Sequence, residues 1–192
     1  MNFKYFYLIV GFIICAGTVI AQEETMQMSE EQKAWMEYMT PGEMHKMMAK
    51  MTGEWKAEMT MWMSPGSESV NSTGNAVSEM ILGGRYMQTK YQSEFMGMPM
   101  NGISIEGFDN KTREFNSLWI DNMGTGFMIS KGNYFPEEKM IKYNGSFIDP
   151  LTGKDIPVRT IVKFEDDNNF SFEMFMSFEG QEFKSMEIKY TR

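Results

Sequence analysis

Methionine is the side chain that this sequence offers most often for chemistry. Of its 192 residues, 23 are methionine, one is histidine and one is cysteine. Two sets of three methionines occupy every second position, the spacing that places side chains on one face of a β-strand. Thioethers are soft ligands that suit Cu(I), so one hypothesis is a copper site, and the other is that methionine packs in place of leucine. The sets are Met59, Met61 and Met63, and Met96, Met98 and Met100.

His45 is the single histidine of the chain. It falls on a predicted short helix, where it could serve as an acid–base group or a metal ligand near the mouth of a barrel. It could equally form a structural hydrogen bond with a carboxylate or with the first strand. Because no nucleophile accompanies it, Ser-His and Cys-His hydrolase mechanisms are disfavoured. We therefore predict no catalytic residue and expect a protein that is not an enzyme.

A third candidate group combines an aromatic wall with polar ends. Trp119 and Asp121 alternate on one predicted strand face, and Asn122 begins the turn that follows. A tryptophan beside a carboxylate and an amide could hold a small polar ligand. The alternative is that Asp121 and Asn122 bond to the backbone of their own turn, as such residues often do.

Two short helices are predicted before the strands begin. Ser29 and Gln32 have the spacing of a capping box, which starts the first helix. Thr40 as N-cap and Pro41 as the first helical residue would start the second helix. The second helix has methionines at the spacing of a buried helical stripe, namely Met44, Met47, Met48 and Met51.

After residue 53 the hydrophobic period changes from helical to strand-like. Apolar and polar residues alternate in about ten short segments, and Gly, Asn and Asp mark turns between them. No segment has the pattern of a strand–helix–strand crossover, so a barrel or a two-sheet sandwich is favoured. The expected strands are 55–63, 70–82, 85–95, 102–108, 114–120, 126–131, 139–147, 157–165, 170–178 and 182–191.

The first 21 residues have the pattern of an export signal. Lys4 precedes an apolar run from 5 to 20, and Ala21 ends a plausible cleavage site. The run is shorter than the roughly 20 residues that a spanning helix needs. We predict a signal peptide at 1–21, a leader with the first helix at 22–40, and one barrel domain with its entry helix at 41–192. The mature protein would be periplasmic or secreted, without a stable membrane span.

The overall charge argues against one class of partner. The chain carries 18 Lys and Arg residues against 26 Asp and Glu residues, a net charge of −8. An acidic protein without a basic run is poorly suited to bind nucleic acid. Oligomeric state does not follow from the sequence.

Several motifs together resemble the bacterial family called domain of unknown function 1579, over roughly 41–192. The resemblance implies a calycin-like barrel and no established activity. The motifs are Pro41-Gly42 with His45, Gly53-Glu54-Trp55, Trp62 with Pro65-Gly66, Leu82-Gly83-Gly84-Arg85-Tyr86, Met96-Gly97-Met98-Pro99, Gly107-Phe108-Asp109-Asn110, Trp119 to Gly126, Asp149-Pro150 with Thr152-Gly153-Lys154, Glu182-Phe183-Lys184 and Met186-Glu187-Ile188.

The Gly53-x-Trp55 pattern is also similar to the start of lipocalins, in which the tryptophan closes the barrel floor, often beneath an arginine. That resemblance implies a floor role for Trp55, with Arg85, Arg159 or Arg192 over it. Arg85 could instead anchor an anionic ligand. A more distant similarity to haem-binding nitrobindin barrels lacks their C-terminal histidine ligand, because no histidine follows His45.

The resulting prediction is an all-β protein, an antiparallel calycin/lipocalin-like barrel of about ten strands preceded by short N-terminal helices. Its predicted function is to bind a small apolar or amphipathic ligand after export, without catalysis and without a cofactor. The alternatives are a methionine-rich Cu(I)-binding envelope protein and a filled barrel that acts as an interaction domain without a ligand. The candidate ligand-binding residues are His45, Trp55, Arg85, Trp119, Asp121 and Asn122.

Overall fold

Ten antiparallel strands close into one barrel in the computed structural model, which describes residues 28–178 and 180–192. Each strand pairs with the next in sequence, and β10 closes the barrel against β1, which confirms the all-β prediction. The strands are β1 Gly53–Trp62, β2 Ser69–Ile81, β3 Tyr86–Phe95, β4 Met98–Asp109, β5 Glu114–Asp121, β6 Met128–Phe135, β7 Met140–Ile148, β8 Asp155–Asp166, β9 Asn169–Phe178 and β10 Gln181–Thr191.

Alternation of side chains explains why these segments form a barrel wall. In β1, Trp55, Ala57 and Met59 are buried, whereas Lys56 and Glu58 between them are exposed. Successive side chains of a strand point to opposite faces, so one face of each strand turns inward and the other meets solvent. The predicted strands correspond to the observed ones, with most boundaries differing by a few residues. The largest difference is at β6, which begins at Met128 and continues to Phe135.

The up-and-down order gives the barrel two distinct ends. The closed end contains the start of β1 and the end of β10, together with the α2 helix described below. The open end carries the loops 63–68, 122–127 and 149–154. Because every second turn lies at the same end, residues from distant parts of the sequence meet at each end.

The first helix, α1 (Glu30–Met39), begins as predicted. Ser29 and Gln32 form a complete capping box, in which each side chain bonds to the backbone of the other residue. None of the residues of α1 is buried.

The second helix, α2 (Glu43–Ala49), begins two residues later than predicted. Gly42 is its N-cap, and Thr40 instead ends α1 by donating a hydrogen bond from Oγ1 to the Met36 carbonyl at 2.6 Å. The prediction that Thr40 caps α2 and that Pro41 is its first residue is therefore wrong. The physical reason is that the Thr40 hydroxyl is already used by the preceding helix.

The predicted methionine stripe of α2 packs against the barrel. Met48 is fully buried and Met51 nearly so. They share one core cluster with inward residues of β3, β5, β7 and β8, strands from different parts of the barrel wall. The helix therefore covers the closed end. The strand residues of this cluster are Met87, Phe115, Ile141, Tyr143 and Val162.

None of the helices in the described ranges is long and apolar enough to cross a membrane. The predicted signal peptide and its cleavage site lie outside the described residues.

Candidate functional site: the barrel lumen

The barrel encloses a cavity of about 810 Å³, here called the lumen. Its boundary reaches the loops of the open end and, in the other direction, Met51 beside α2. Every strand contributes at least one residue to its wall. The lining residues are Met51, Met59, Ala76, Ser78, Met87, Thr89, Tyr91, Met100, Ser104, Glu106, Ser117, Trp119, Asp121, 123–128, Phe147, Ile148, Pro150, Val162, Phe170, Phe172, Met174, Met186, Ile188 and Tyr190.

One side of the lumen, the polar wall, consists of neighbouring side chains from β2 to β5. Ser78 pairs with Thr89, and their hydroxyl oxygens are 2.8 Å apart. Thr89 in turn pairs with Ser104, and Glu106 pairs with Ser117. These five residues form one continuous polar patch, because each is a cross-strand or same-face neighbour of another.

The opposite side, the apolar wall, comes from β8, β9, β10 and β1. The rings of Phe170 and Tyr190 stack with their centres 4.3 Å apart, and Trp55 meets Phe170 edge-on at 4.7 Å. Aliphatic and thioether side chains complete this wall, so it offers an amphipathic ligand a surface without charge. Its lining members are Met59, Val162, Phe170, Phe172, Met174, Met186, Ile188 and Tyr190.

Glu106 places a carboxyl group deep in the lumen. It lies three residues before the end of β4, next to the closed end. No side-chain hydrogen bond or ion pair to its carboxyl group is found within the described ranges. Burial raises the pKa of Glu106 from 4.5 to about 7, because the charged form loses its hydration inside the barrel.

The charge of Glu106 also affects the pKa values of two tyrosines. Burial raises the pKa of Tyr143 well above 10, and the negative charge of Glu106 raises it further. Burial also raises the pKa of Tyr190, with smaller contributions from Tyr91 and Glu106. The Tyr143 hydroxyl is buried and has no hydrogen-bond partner among the described residues. Two uncharged phenols therefore interact with a carboxyl group that has no counter-ion among the described residues.

Trp119 and Asp121 lie on the inward face of β5 towards the open end. The indole Nε1 of Trp119 donates to Asp121 Oδ2 at 2.6 Å, and the Met123 amide donates to Asp121 Oδ1 at 2.9 Å. Both carboxylate oxygens are thus engaged. The ring of Trp119 covers Gly102, where an added Cβ would approach it to 2.2 Å, so only glycine fits beneath the indole.

Asn122 is a structural residue of the same turn. Its Oδ1 accepts a hydrogen bond from the Asn101 amide at 2.7 Å, and its Nδ2 donates to the Pro99 carbonyl at 2.9 Å. It ties the 122–127 loop to β4 and does not line the lumen.

His45 is buried in the capping of α2, away from the residues that line the lumen. Its Nδ1 accepts a hydrogen bond from the Gly42 amide at 3.0 Å, and its ring meets Phe108 edge-on. Burial lowers the pKa of His45, a hydrogen bond with the Phe108 backbone opposes that shift, and the charge of Arg85 lowers the pKa further. This geometry supports the interpretation of His45 as a structural residue that forms a hydrogen bond, rather than as an acid–base group or a metal ligand.

Trp55 and Arg192 seal the closed end. Trp55 is buried, and its Nε1 donates to the Met51 carbonyl at 2.8 Å. The Arg192 guanidinium lies 4.2 Å from the centre of the indole ring and donates to the Thr52 carbonyl at 2.9 Å and the Lys50 carbonyl at 3.0 Å. Of the three arginines proposed for this position, Arg192 occupies it.

Arg85 links the closed end to the first helix. Its guanidinium donates to the Met39 carbonyl at 2.7 Å and to the Leu82 carbonyl at 3.2 Å. The side chain therefore joins the end of α1 to the turn after β2, and it does not line the lumen.

The family model described as "Protein of unknown function (DUF1579)" matches residues 40–192. The chain belongs to this family. Among solved structures, Rv2717c from M. tuberculosis is similar, with a TM-score of 0.60 and 14% identity over 80% of this chain and 99% of that chain. At that identity the similarity establishes a shared fold alone. A redesigned β-barrel is similar with a TM-score of 0.42 and 14% identity, over 76% of this chain and 93% of its own. No curated protein matches the chain.

Within each of the two sets of three methionines, the side chains lie in different surroundings. Met59 and Met100 line the lumen, and Met61 packs beside Met59 in the core. The other three are exposed, because they lie at or beyond the strand ends of the open end: Met63, Met96 and Met98. Neither set converges as a group of three on the lumen, although six further methionines line it: Met51, Met87, Met123, Met128, Met174 and Met186.

Sequence reasoning overlooked Glu106. In β4 it alternates with Ile103 and Ile105, so an amphipathic interpretation would place the isoleucines inside and the carboxylate outside. The structure does the reverse, and Phe108, two residues further on, packs against the core. One sequence feature could have identified it. Ser104, Glu106 and Phe108 occupy alternate positions of the strand, so Glu106 lies on the same face as an aromatic residue of the core.

Proposed function

We propose that this protein is an exported barrel that binds one small apolar or amphipathic molecule in its lumen, without catalysing a reaction. The observation that carries the proposal is the lumen itself, with about 810 Å³ of space behind an open end. Binding pockets for small molecules usually enclose roughly 300–1,000 Å³. A barrel filled by its own side chains would leave no such space.

The lining supports the same proposal. Eight methionines and several aromatic rings form most of the surface, with a few polar groups concentrated on the polar wall. Methionine is flexible and polarizable, so it adapts to ligands of different shape. The arrangement therefore suits an apolar body with one polar end.

The spacing of the carboxyl groups favours binding over acid–base catalysis. Glu106 pairs with Ser117, and Asp121 lies four residues further along β5. At about 3.3 Å per residue, the two groups are roughly 13 Å apart along the strand, too far to act as a pair on one bond.

Export is the second component of the proposal. Its support is the sequence of residues 1–21, with a single lysine, an apolar run and small residues before Gln22. Amino-terminal sequencing of the protein recovered from the periplasm or medium tests it, with Gln22 as the expected first residue. An intact Met1 on the recovered protein would contradict export by cleavage.

The binding experiment is native mass spectrometry of the exported protein, purified without refolding and then mixed with 1-dodecanol. We expect a copurified organic mass or a one-to-one dodecanol complex. Ala76→Phe should abolish it, because Ala76 is buried and lines the lumen. Val77→Phe is the matched control, because Val77 is 49% exposed on the other face of the same strand.

Other outcomes would decide against lumen binding. Absence of any complex in the wild-type protein, or equal binding by both phenylalanine variants, would contradict it. The same measurement with Cu(I) under reducing conditions tests the copper alternative. A stoichiometric copper mass that is lost in a Met59→Leu, Met100→Leu double variant would favour metal handling instead.

A further inference from the structure

We propose that the ligand carries a protonated amine and that Glu106 is the carboxylate that pairs with it. This inference rests on the proposed binding function and specifies its ligand class. It makes Glu106 the residue that selects a cationic amphiphile over a neutral or anionic one.

The first support is that Glu106 lies inside the barrel, in the wall of the lumen, without a counter-ion among the described residues. Its carboxyl group faces a cavity, and no described residue forms a hydrogen bond or ion pair with it. Buried charges are normally paired, because an isolated charge loses its hydration without compensation. A carboxylate without a partner, at the wall of a cavity that is open to solvent, can form an ion pair with a cationic group of a ligand.

The second support is the charge of the lumen as a whole. The residues that line it include Glu106 and Asp121, and the described lining contains no lysine, arginine or histidine. Both oxygens of Asp121 are already engaged by Trp119 and Met123. A ligand carboxylate would meet a second negative charge in a medium of low dielectric, whereas an ammonium group would neutralise the one that is free.

The third support is the set of acceptors around Glu106. An ammonium group has three N–H donors, of which one carboxylate satisfies one or two. Ser117 pairs with Glu106 across the strands, and Ser104 is its neighbour on the same face. These hydroxyl groups can accept the remaining donors.

The position of Glu106 also fixes the orientation of the ligand. Because it lies near the closed end of β4, the amine must enter first and the apolar part must extend towards the open end. That part would pass the apolar wall and end near Met123 and Phe127, which line the mouth. The side chain of Phe127 is 62% exposed there, so a protruding apolar tail would cover it.

The test compares three probes with the same chain length, namely dodecylamine, 1-dodecanol and dodecanoate, by calorimetry at pH 8. The amine and dodecanoate are kept below their micelle concentrations and the alcohol below its solubility limit. The wild-type protein should bind the amine at least tenfold more tightly than dodecanoate, with the alcohol between them. E106Q should weaken amine binding by roughly tenfold relative to alcohol binding, since a charge-assisted bond contributes about 1.5–3 kcal/mol. E79Q is the matched control, because Glu79 is an exposed carboxylate on the outside of β2.

A second measurement keeps the test valid if E106Q fails to fold. In the wild-type protein, amine affinity should rise between pH 5.5 and 8 as Glu106 loses its proton, while alcohol affinity stays flat. The tyrosines inside the barrel remain neutral throughout this window, because burial raises the pKa values of Tyr91, Tyr143 and Tyr190. Asp121 lies at the other end of the lumen and is common to all three probes.

Each outcome separates the two proposals. Equal binding of amine and dodecanoate, an unchanged amine-to-alcohol ratio in E106Q, or a flat pH profile for the amine would overturn the amine inference. In those cases alcohol binding would still support the lumen as a binding site. If none of the probes binds the wild-type protein, both the binding function and the amine inference are overturned.

Discussion

The two ends of the barrel each contain a tryptophan whose indole N–H is hydrogen-bonded, but the two rings have different surroundings. At the closed end, Trp55 is buried, its indole N–H is bonded and Arg192 covers its ring. At the open end, Trp119 is also bonded through its indole N–H, but its ring forms part of the lumen wall. At the closed end the aromatic surface packs within the chain, whereas at the open end such surface faces the lumen.

The same contrast holds for the two carboxyl groups of the lumen. Asp121 near the mouth has two donors, whereas Glu106 near the floor has none among the described residues. A group near the mouth can be satisfied by its own turn, because turns supply free backbone N–H groups. A group deep in a wall of paired strands meets backbone that is already bonded, so its partner must come from another side chain or from a ligand.

The largest effect should follow from breaking the closed end. Trp55→Ala should lower the free energy of unfolding by about 3–5 kcal/mol, because a buried ring is removed and Arg192 loses its platform. Urea denaturation measures it. Trp35→Ala is the control, since Trp35 on α1 is 56% exposed, and its loss should cost about 0.5 kcal/mol or less. Equal losses would refute a sealing role for Trp55.

The next effect concerns the pH dependence of stability through Glu106. Its folded pKa of about 7 lies above the reference value of 4.5, so the folded protein holds the proton more tightly than the unfolded chain. The associated stability is fully present below pH 4.5, declines as the pH rises and is gone once the pH has passed 7. By linkage the difference amounts to about 3 kcal/mol.

E106Q should therefore be more stable than the wild-type protein at pH 8 and close to it at pH 4.5. Thermal unfolding across that range, monitored by circular dichroism, measures the difference. E79Q should follow the wild-type curve, because Glu79 is exposed. A wild-type and E106Q difference that does not change with pH would contradict the raised pKa.

A smaller effect is expected at the open end. Asp121→Ala removes the bonds to Trp119 and to the Met123 amide, and should lower stability by about 1 kcal/mol and weaken dodecanol binding severalfold. Asp109→Ala removes comparable turn bonds, from the Lys111 and Thr112 amides, at the closed end and outside the lining of the lumen. It should lower stability similarly and leave binding unchanged. Equal weakening by both variants would mean that Asp121 does not act by orienting Trp119.

The smallest effect belongs to His45 and appears only in acid. Because burial lowers its folded pKa below the reference value of 6.5, the unfolded chain takes up a proton first, and stability is lost as the pH falls below 6.5. His45→Gln keeps an acceptor at the third helical position, where glutamine forms a normal capping box, and removes the titration. The variant should lose less stability than the wild-type protein between pH 6.5 and 5, as measured by chemical denaturation. A parallel decline in both proteins would show that His45 does not contribute.

Local patterns predicted the elements more accurately than the site. The capping box of Ser29 and Gln32, the methionine stripe of α2 and the ten alternating segments all depend on neighbours in sequence, and the structure contains each of them. Thr40 was assigned to the wrong helix, because a cap can serve either of two adjacent helices. Of the six candidate ligand-binding residues, Trp119 and Asp121 line the lumen.

By itself, the sequence determined that this chain forms short antiparallel strands in a barrel or a two-sheet sandwich, because a period of two and frequent turns leave few other ways to bury its apolar residues. Closure into a barrel was decided by the tertiary structure. The tertiary structure decided which face of β4 turns inward, which arginine covers Trp55 and how much space the lumen keeps. Closure of β1 on β10 brings together residues more than a hundred positions apart, such as Arg192 and Thr52. Alternation shows that a strand has two faces, but only the closed barrel makes one of them the inside, and that choice placed Glu106 within it.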